Sequence, residues 1–165
     1  MALPSPEQLK KRHEFRKKVF EEYRDKKLEQ TLKDFTKVIT DKESVTPPEI
    51  IAVPENILFQ ISDGTTKIAT YKPIEEIIYI NSENPLMFHM LHETKHHIDY
   101  KKRGMAHLDE VLKCRDEGIP FAVCPTEKRA HRFAIVNIVE YIDDWKEKVE
   151  PIVGTGKILP PFEKL

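Results

Sequence analysis

The chain has 165 residues, of which 39% are hydrophobic and 33% charged; this length predicts one domain over residues 1–165, and the composition excludes disorder throughout. Its 27 Lys and Arg residues balance 28 Asp and Glu residues, which excludes a global field for nucleic acid or a membrane surface. No apolar stretch is long enough for a membrane span or a signal peptide, so we expect a cytoplasmic protein. Gln and Asn are rare beside Lys and Glu, a bias typical of heat-adapted sources.

The first predicted elements are helical. Between residues 6 and about 40, apolar side chains recur at mostly helical spacing, which predicts one long helix or two shorter ones. Ser5 followed by Pro6 is typical of a helix start, with Ser as the cap and Pro in the first turn. The run Thr46-Pro47-Pro48 then breaks the pattern, and we expect residues 1–45 to form an N-terminal helical arm.

Three short strands are predicted next, over residues 57–62, 66–71 and 76–81, because these runs are rich in β-branched and aromatic residues. Asp63-Gly64 lies between the first two runs, a position where Asp-Gly is typical of a β-hairpin. We therefore expect an α+β fold with a small, twisted, three-stranded and mostly antiparallel sheet.

The remaining predicted elements are helices over residues 86–102, 105–117 and 126–150, followed by an irregular tail over 151–165. Gly104 is typical of a helix C-terminus. The redox state of Cys114 and Cys124 is left open by the sequence: free thiols are the default in the cytosol, but heat-adapted cells can keep intracellular disulfides.

The segment His92-Glu93-Thr94-Lys95-His96 contains the motif His-Glu-x-x-His. On a helix, His92 and His96 lie one turn apart and can offer two imidazole nitrogens to one zinc ion, with Glu93 beside them to act on bound water. The chain has 7 His residues, and random placement gives such a motif with a probability of roughly 3%, so the motif needs an independent test.

The helical period provides that test. The polar candidates fall on one face of the predicted helix: His89, His92, Glu93, His96 and Tyr100. A mainly apolar stripe falls on the opposite face: Met87, Leu91, Thr94 and Ile98. The segment therefore predicts a helix with one face for a site and one face for a core.

Two histidines leave a zinc ion short of a ligand, because catalytic zinc sites usually have three protein ligands and one open position. Lys102 stands where a metzincin has its third His, and Asp99 where it has Gly, so that class is excluded. Glu127 begins the inward-facing apolar stripe of the last helix, and a carboxylate on that face needs a cation as its partner. The small residues Ala130 and Ala134 would allow close helix packing. A solvent-facing Glu127, stabilised by the helix dipole, is the alternative.

The motif at 92–96 and the segment from Glu127 to Ala134, with Ala130 and Phe133, resemble the gluzincin metallopeptidases, particularly the small ImmA/IrrE-like and minigluzincin group. In that group the second motif reads roughly Glu-x-x-Ala-x-x-Phe-Ala and supplies a glutamate ligand. The resemblance covers about residues 50–145 and implies a minimal zincin-like core, with a small sheet packed on an active-site helix and a glutamate helix. It also implies zinc on His92, His96 and Glu127, with Glu93 as general base and then general acid.

The other histidines have open roles. His131 stands where the ImmA-like motif usually has Asn, and we expect it in the catalytic set, as an oxyanion donor, as a partner that orients a ligand, or as a fourth ligand that silences the site. His89 has the same alternatives, and Tyr100 is a second candidate oxyanion donor. His97 points away from His96 and is expected on the surface.

Two further residues offer different chemistry at the metal. His107 is an alternative third ligand, as in SprT-like proteases. Cys124 could oppose the metal as a thiolate, although a buried or helix-capping cysteine is the commoner case.

These observations predict a zinc metalloendopeptidase that acts on a peptide or protein substrate, with a hairpin strand at the rim of its cleft. In one alternative, the tail from Pro151 onward or the N-terminal arm covers the cleft and makes the protease latent. In another, the chain is a non-catalytic regulatory or DNA-associated protein with a structural zinc. Residues 10–27 offer a Lys/Arg run for that role, but acidic residues interrupt it, so nucleic acid is not the expected partner.

Overall fold

The structure, a computed structural model, describes residues 4–160. It begins with two helices, α1 (Pro6–Val19) and α2 (Lys26–Lys42), separated by a short 3-10 turn. As predicted, Ser5 caps α1: its hydroxyl accepts the backbone N–H of Gln8, whose side chain accepts the N–H of Ser5. Asp25 caps α2 by accepting the N–H of Leu28. The two caps explain why the helical pattern of this region forms two helices.

The sheet has three strands, β1 (Glu49–Val53), β2 (Ala69–Lys72) and β3 (Ile77–Asn81). Their order is β1-β3-β2, with β1 parallel to β3 and β2 antiparallel to β3. The sheet is therefore mixed, and the expectation of a mostly antiparallel sheet is wrong. The prediction of a strand over 76–81 is confirmed by β3, and the predicted strand over 66–71 starts three residues late.

The predicted strand over 57–62 is wrong, because these residues belong to helix α3 (Glu55–Ile61). One face of α3 is buried through Ile57, Leu58 and Ile61. Their spacing fits a helix, although the same short apolar run also fits a strand. The predicted hairpin at Asp63-Gly64 is also wrong. These residues follow the end of α3, and the N–H of Gly64 donates to the carbonyl of Phe59.

Four helices form the second half of the chain: α4 (Met87–Arg103), α5 (Met105–Asp116), α6 (Pro125–Lys148) and α7 (Glu150–Val153). The three helices predicted after residue 85 are confirmed within two residues at each end. In the tail, α7 was not predicted. The apolar stripe of α4 is confirmed, since all four of its residues are fully buried: Met87, Leu91, Thr94 and Ile98.

The hydrophobic core lies between α2, α4, α6 and the sheet. Phe35 of α2 and Trp145 of α6 meet edge to face with ring centres 5.1 Å apart. The N-terminal arm is tied to the sheet by ion pairs from Arg16 to Glu75 and from Lys17 to Glu49. The hydrophobic core therefore includes side chains from both sides of residue 45, where the sequence pattern places the end of the N-terminal arm.

The chain beyond α7 returns to the start of α4. The backbone N–H groups of Met87 and Phe88 donate to the carbonyls of Lys157 and Ile158, at 3.0 and 2.9 Å. The residue before α4, Leu86, provides no side-chain cap, so these carbonyls satisfy N–H groups that a helix start leaves open. Among the helices within residues 4–160, none combines the length and apolar character needed to cross a membrane.

Candidate metal centre

Two helices bring the predicted ligands together. His92 and His96 are buried on consecutive turns of α4, and Glu127 lies in the first turn of α6. Ala130 and Ala134 of α6 are both fully buried, and Ala134 belongs to the hydrophobic core. Their small side chains permit the close approach of α4 and α6 that the sequence predicted, and Glu127 points inward rather than to solvent.

The donor atoms of these three residues converge. Glu127 Oε2 is 2.8 Å from His92 Nε2, and Glu127 Oε1 is 3.0 Å from His96 Nε2. The two Nε2 atoms are 3.3 Å apart. All three donor atoms lie within 4.8 Å of one another, so the group could hold a metal ion.

The chemistry of this group fits a small divalent cation. Ligand atoms about 2.0–2.1 Å from a tetrahedral ion lie about 3.3 Å apart, close to the separations seen between these donors. Two imidazole nitrogens and one carboxylate suit zinc and several other divalent ions. A cation bound there would replace the ring protons that Glu127 otherwise accepts from the two histidines.

The ionisation of the ligands favours a cation. Burial alone would raise the pKa of Glu127, but hydrogen bonds from His92 and His96 outweigh it and lower the pKa to about 2. Burial would lower the pKa of His96, but the hydrogen bond to Glu127 and the charges of Glu93 and Glu127 raise it. Glu127 is therefore ionised at neutral pH, as a metal ligand must be.

Glu93 lies beside the donor group and has a different environment. Its side chain is half-buried and borders the same cavity. Burial raises the pKa of Glu93, and the charge of Glu127 adds to the rise, while His92 and His96 oppose it. A raised pKa makes this carboxylate a better proton acceptor than an exposed one.

The donor group opens into a cavity of about 590 Å³. Strand β2 lies along its edge and contributes Ala69, Thr70 and Tyr71 to the lining. The tail contributes Pro160. β2 therefore lies at the border of the sheet and beside the cavity. It forms its hairpin with β3, not with the predicted strand over 57–62.

The structure places two of the uncertain histidines in this cavity. His131 borders it, with its ring centre 5.3 Å from that of Phe88. His89 also borders it, and burial, with the charge of His92, lowers its pKa to about 4. Tyr100 is not among the described residues that line the cavity.

The expectation that His97 lies on the surface is wrong. His97 is fully buried, and its Nε2–H donates to the carbonyl of Thr46 at 2.7 Å. Its Nδ1 accepts the hydroxyl of Tyr71, also at 2.7 Å. His97 therefore joins α4 to the segment before β1 and to β2.

His107 does not join the donor group, whose three members are His92, His96 and Glu127. Its ring centre lies 5.8 Å from that of His96, and the side chain borders the cavity. Burial lowers the pKa of His107 to about 4, so its imidazole is neutral at pH 7. In this geometry Glu127, not His107, is the third member of the group that could hold a metal ion.

Cys114 and Cys124, whose redox state the sequence leaves open, form a disulfide with a Cα–Cα distance of 5.9 Å. The bond joins the end of α5 to the residue before α6, three positions ahead of Glu127. The ten-residue separation puts both cysteines at the ends of one loop. The thiolate role considered for Cys124 is therefore excluded in this disulfide-bonded form.

The loop closed by the disulfide adds a site residue that the sequence pattern missed. Phe121 lies parallel to the ring of His92, with ring centres 6.0 Å apart, and borders the cavity. Its position after Pro120, between two cysteines, is the signal that could have indicated a constrained aromatic.

We compared the chain with protein-family models, with curated proteins and with solved structures, and none of the three comparisons gave a match.

Proposed function

We propose that the chain is a zinc-dependent metallopeptidase on a zincin-like scaffold of the gluzincin type. The observation that supports this most is the convergence of His92, His96 and Glu127 beside Glu93, at a cavity bordered by an edge strand. The sequence resemblance to the ImmA/IrrE-like and minigluzincin group points to the same residues.

His92 Nε2, His96 Nε2 and a carboxylate oxygen of Glu127 would hold the ion. When bound, zinc would polarise a peptide carbonyl and make a water molecule acidic at neutral pH. Glu93 would take a proton from the attacking water on a carboxylate oxygen and then give it to the leaving amine nitrogen. The raised pKa of Glu93 makes it a stronger base for the first transfer.

An extended polypeptide is the substrate that the cavity edge fits. Strand β2 pairs with β3 on one side, and its other edge faces away from the sheet. A peptide can add to such an edge through backbone hydrogen bonds, which require no particular sequence. His131, on the α6 side of the cavity, would donate to the carbonyl oxygen on which charge develops.

The substitution Glu93→Gln tests the proposal, since it keeps the shape and removes the base. We expect cleavage of unfolded β-casein to fall by a factor of about 10² to 10⁴, with zinc content unchanged. Glu147→Gln, an exposed position on α6, is the matched control and should cleave at the wild-type rate. Wild-type cleavage by the Glu93→Gln protein would refute the proposal.

A latent form of the same enzyme is supported by one specific observation. Pro160 borders the cavity, and the chain just before it is held by hydrogen bonds from Met87 and Phe88. Residues 161–165 come next in the sequence and are the segment to remove.

Deletion of residues 161–165 should raise the rate of β-casein cleavage and leave the melting temperature unchanged. Deletion of residues 151–165 is a poorer test, because it also removes the carbonyls that cap α4 and should lower the melting temperature. An unchanged cleavage rate after deletion of residues 161–165 would show that these five residues do not inhibit the enzyme.

A further inference from the structure

His107 is a fully buried histidine with unpaired ring nitrogens. The side chain has no exposed surface, and neither Nδ1 nor Nε2 has a hydrogen-bond partner within residues 4–160. Nearly all buried polar groups in native proteins are paired, because an unpaired one destabilises the fold. The position of His107 therefore needs an explanation other than folding stability.

His97 shows that this fold can satisfy a buried histidine. Both of its ring nitrogens are hydrogen-bonded, one by Tyr71 and one to the carbonyl of Thr46. His97 lies away from the cavity lining, whereas His107 is part of it. The histidine away from the cavity has both ring nitrogens paired, and the histidine that lines the cavity has neither paired.

The turn between α4 and α5 brings His107 to the cavity. Gly104 has φ 57° and ψ −127°, a conformation that favours glycine, and its carbonyl accepts the N–H of His107. The ring of His107 then lies next to His96 but outside the donor group. The side chain borders the cavity and is not one of the ligands, and a molecule bound in the cavity reaches its nitrogens only when the ring turns toward the cavity.

A peptide group can provide the hydrogen-bond partners that the ring nitrogens of His107 lack. A neutral imidazole offers one N–H donor and one acceptor nitrogen, and a peptide group offers one carbonyl acceptor and one N–H donor. We propose that His107 is a substrate-binding residue that hydrogen-bonds to a peptide group of the polypeptide in the cavity. This inference rests on the proposed peptidase function and adds to it a residue outside the metal and acid–base set.

Two substitutions at one position separate binding from folding. His107→Phe keeps a ring and removes both polar atoms, and His107→Gln keeps a donor and an acceptor. We expect His107→Phe to raise KM for β-casein about tenfold and to change kcat by less than about threefold. His107→Gln should restore most of the lost affinity.

The melting temperature distinguishes a binding role of His107 from a structural one, because loss of a structural residue would lower it. Because the unpaired nitrogens are removed, the melting temperature of the His107→Phe protein should equal or exceed that of wild type. Its zinc content should stay the same. A lower melting temperature together with zinc loss would make His107 a structural residue and overturn the proposal.

Binding is measured without turnover in the Glu93→Gln protein, with a fluorescently labelled peptide that spans a mapped β-casein cleavage site. Adding His107→Phe should raise the Kd about tenfold. An equal Kd, with cleavage still dependent on Glu93, would overturn the role of His107 alone. Cleavage that does not depend on Glu93 would instead overturn the proposed function.

Discussion

Removal of the Cys114–Cys124 disulfide should destabilise the protein and loosen one wall of the candidate site. The bond closes a loop with a sequence separation of 10. In the chain-entropy model, closing a loop of this size lowers the entropy of the unfolded chain and stabilises the folded state by about 3 kcal/mol at 25 °C. For a chain of this length, that free energy corresponds to a fall in melting temperature of about 6–12 °C.

The double substitution Cys114→Ser/Cys124→Ser tests this, with thermal unfolding followed by circular dichroism in the presence of EDTA, so that metal binding does not contribute. Wild-type protein treated with a phosphine reductant is the matched control and should show the same fall. The loop also carries Phe121, so we expect faster modification of His92 by diethyl pyrocarbonate in the double variant. Two titratable thiols in the denatured, unreduced protein, or a melting temperature within about 2 °C of wild type, would refute the reasoning.

Glu127→Ala removes one of three donor atoms and should weaken zinc binding by more than about 100-fold, measured by elemental analysis after dialysis; one retained zinc per chain would contradict the assignment. Trp145→Ala opens a cavity beside Phe35 and should lower the free energy of unfolding by about 3–5 kcal/mol, measured with urea; a loss below about 1 kcal/mol would contradict its core position. Hydrogen bonds from Arg103, with a further one from Arg129, lower the pKa of Glu110 to about 2, so its stabilisation is present above pH 4.5 and is lost as the pH falls toward 2. Glu110→Gln should therefore cost about 1 kcal/mol at pH 7, after allowance for solvent screening, and progressively less in acid; an equal cost at pH 7 and pH 3 would exclude this ionic contribution.

The parts of the site that the sequence predicted are those set by local rules. The positions of His92, Glu93 and His96 follow from helical spacing, and the inward direction of Glu127 follows from the apolar stripe of its helix. Each inference needs one helix and its period. The structure brings the two helices together as these faces require.

The features that were missed depend on contacts between distant segments. His97 is buried because Tyr71 and Thr46, far apart in the sequence, satisfy both of its ring nitrogens. The disulfide requires the end of α5 to meet the start of α6, which spacing alone does not show.

The errors in the sheet have a related cause. The apolar run of α3 is short enough to fit a strand as well as a helix, and β1 directly follows two prolines that read as a break. β1 is held in place by parallel pairing with β3, a partner that lies a whole helix further along the chain. Strand identity here was decided by pairing, which a short window of sequence does not contain.

The cap on α4 has a consequence for the order in which the protein forms. The first N–H groups of the ligand-bearing helix are satisfied by the carbonyls of Lys157 and Ile158, about seventy residues later in the chain. During synthesis, His92, His96 and Glu127 all leave the ribosome before these carbonyls do. Until residue 158 has been added and has folded back, the first N–H groups of α4 lack these carbonyl partners, and the first turn of the helix is free to fray.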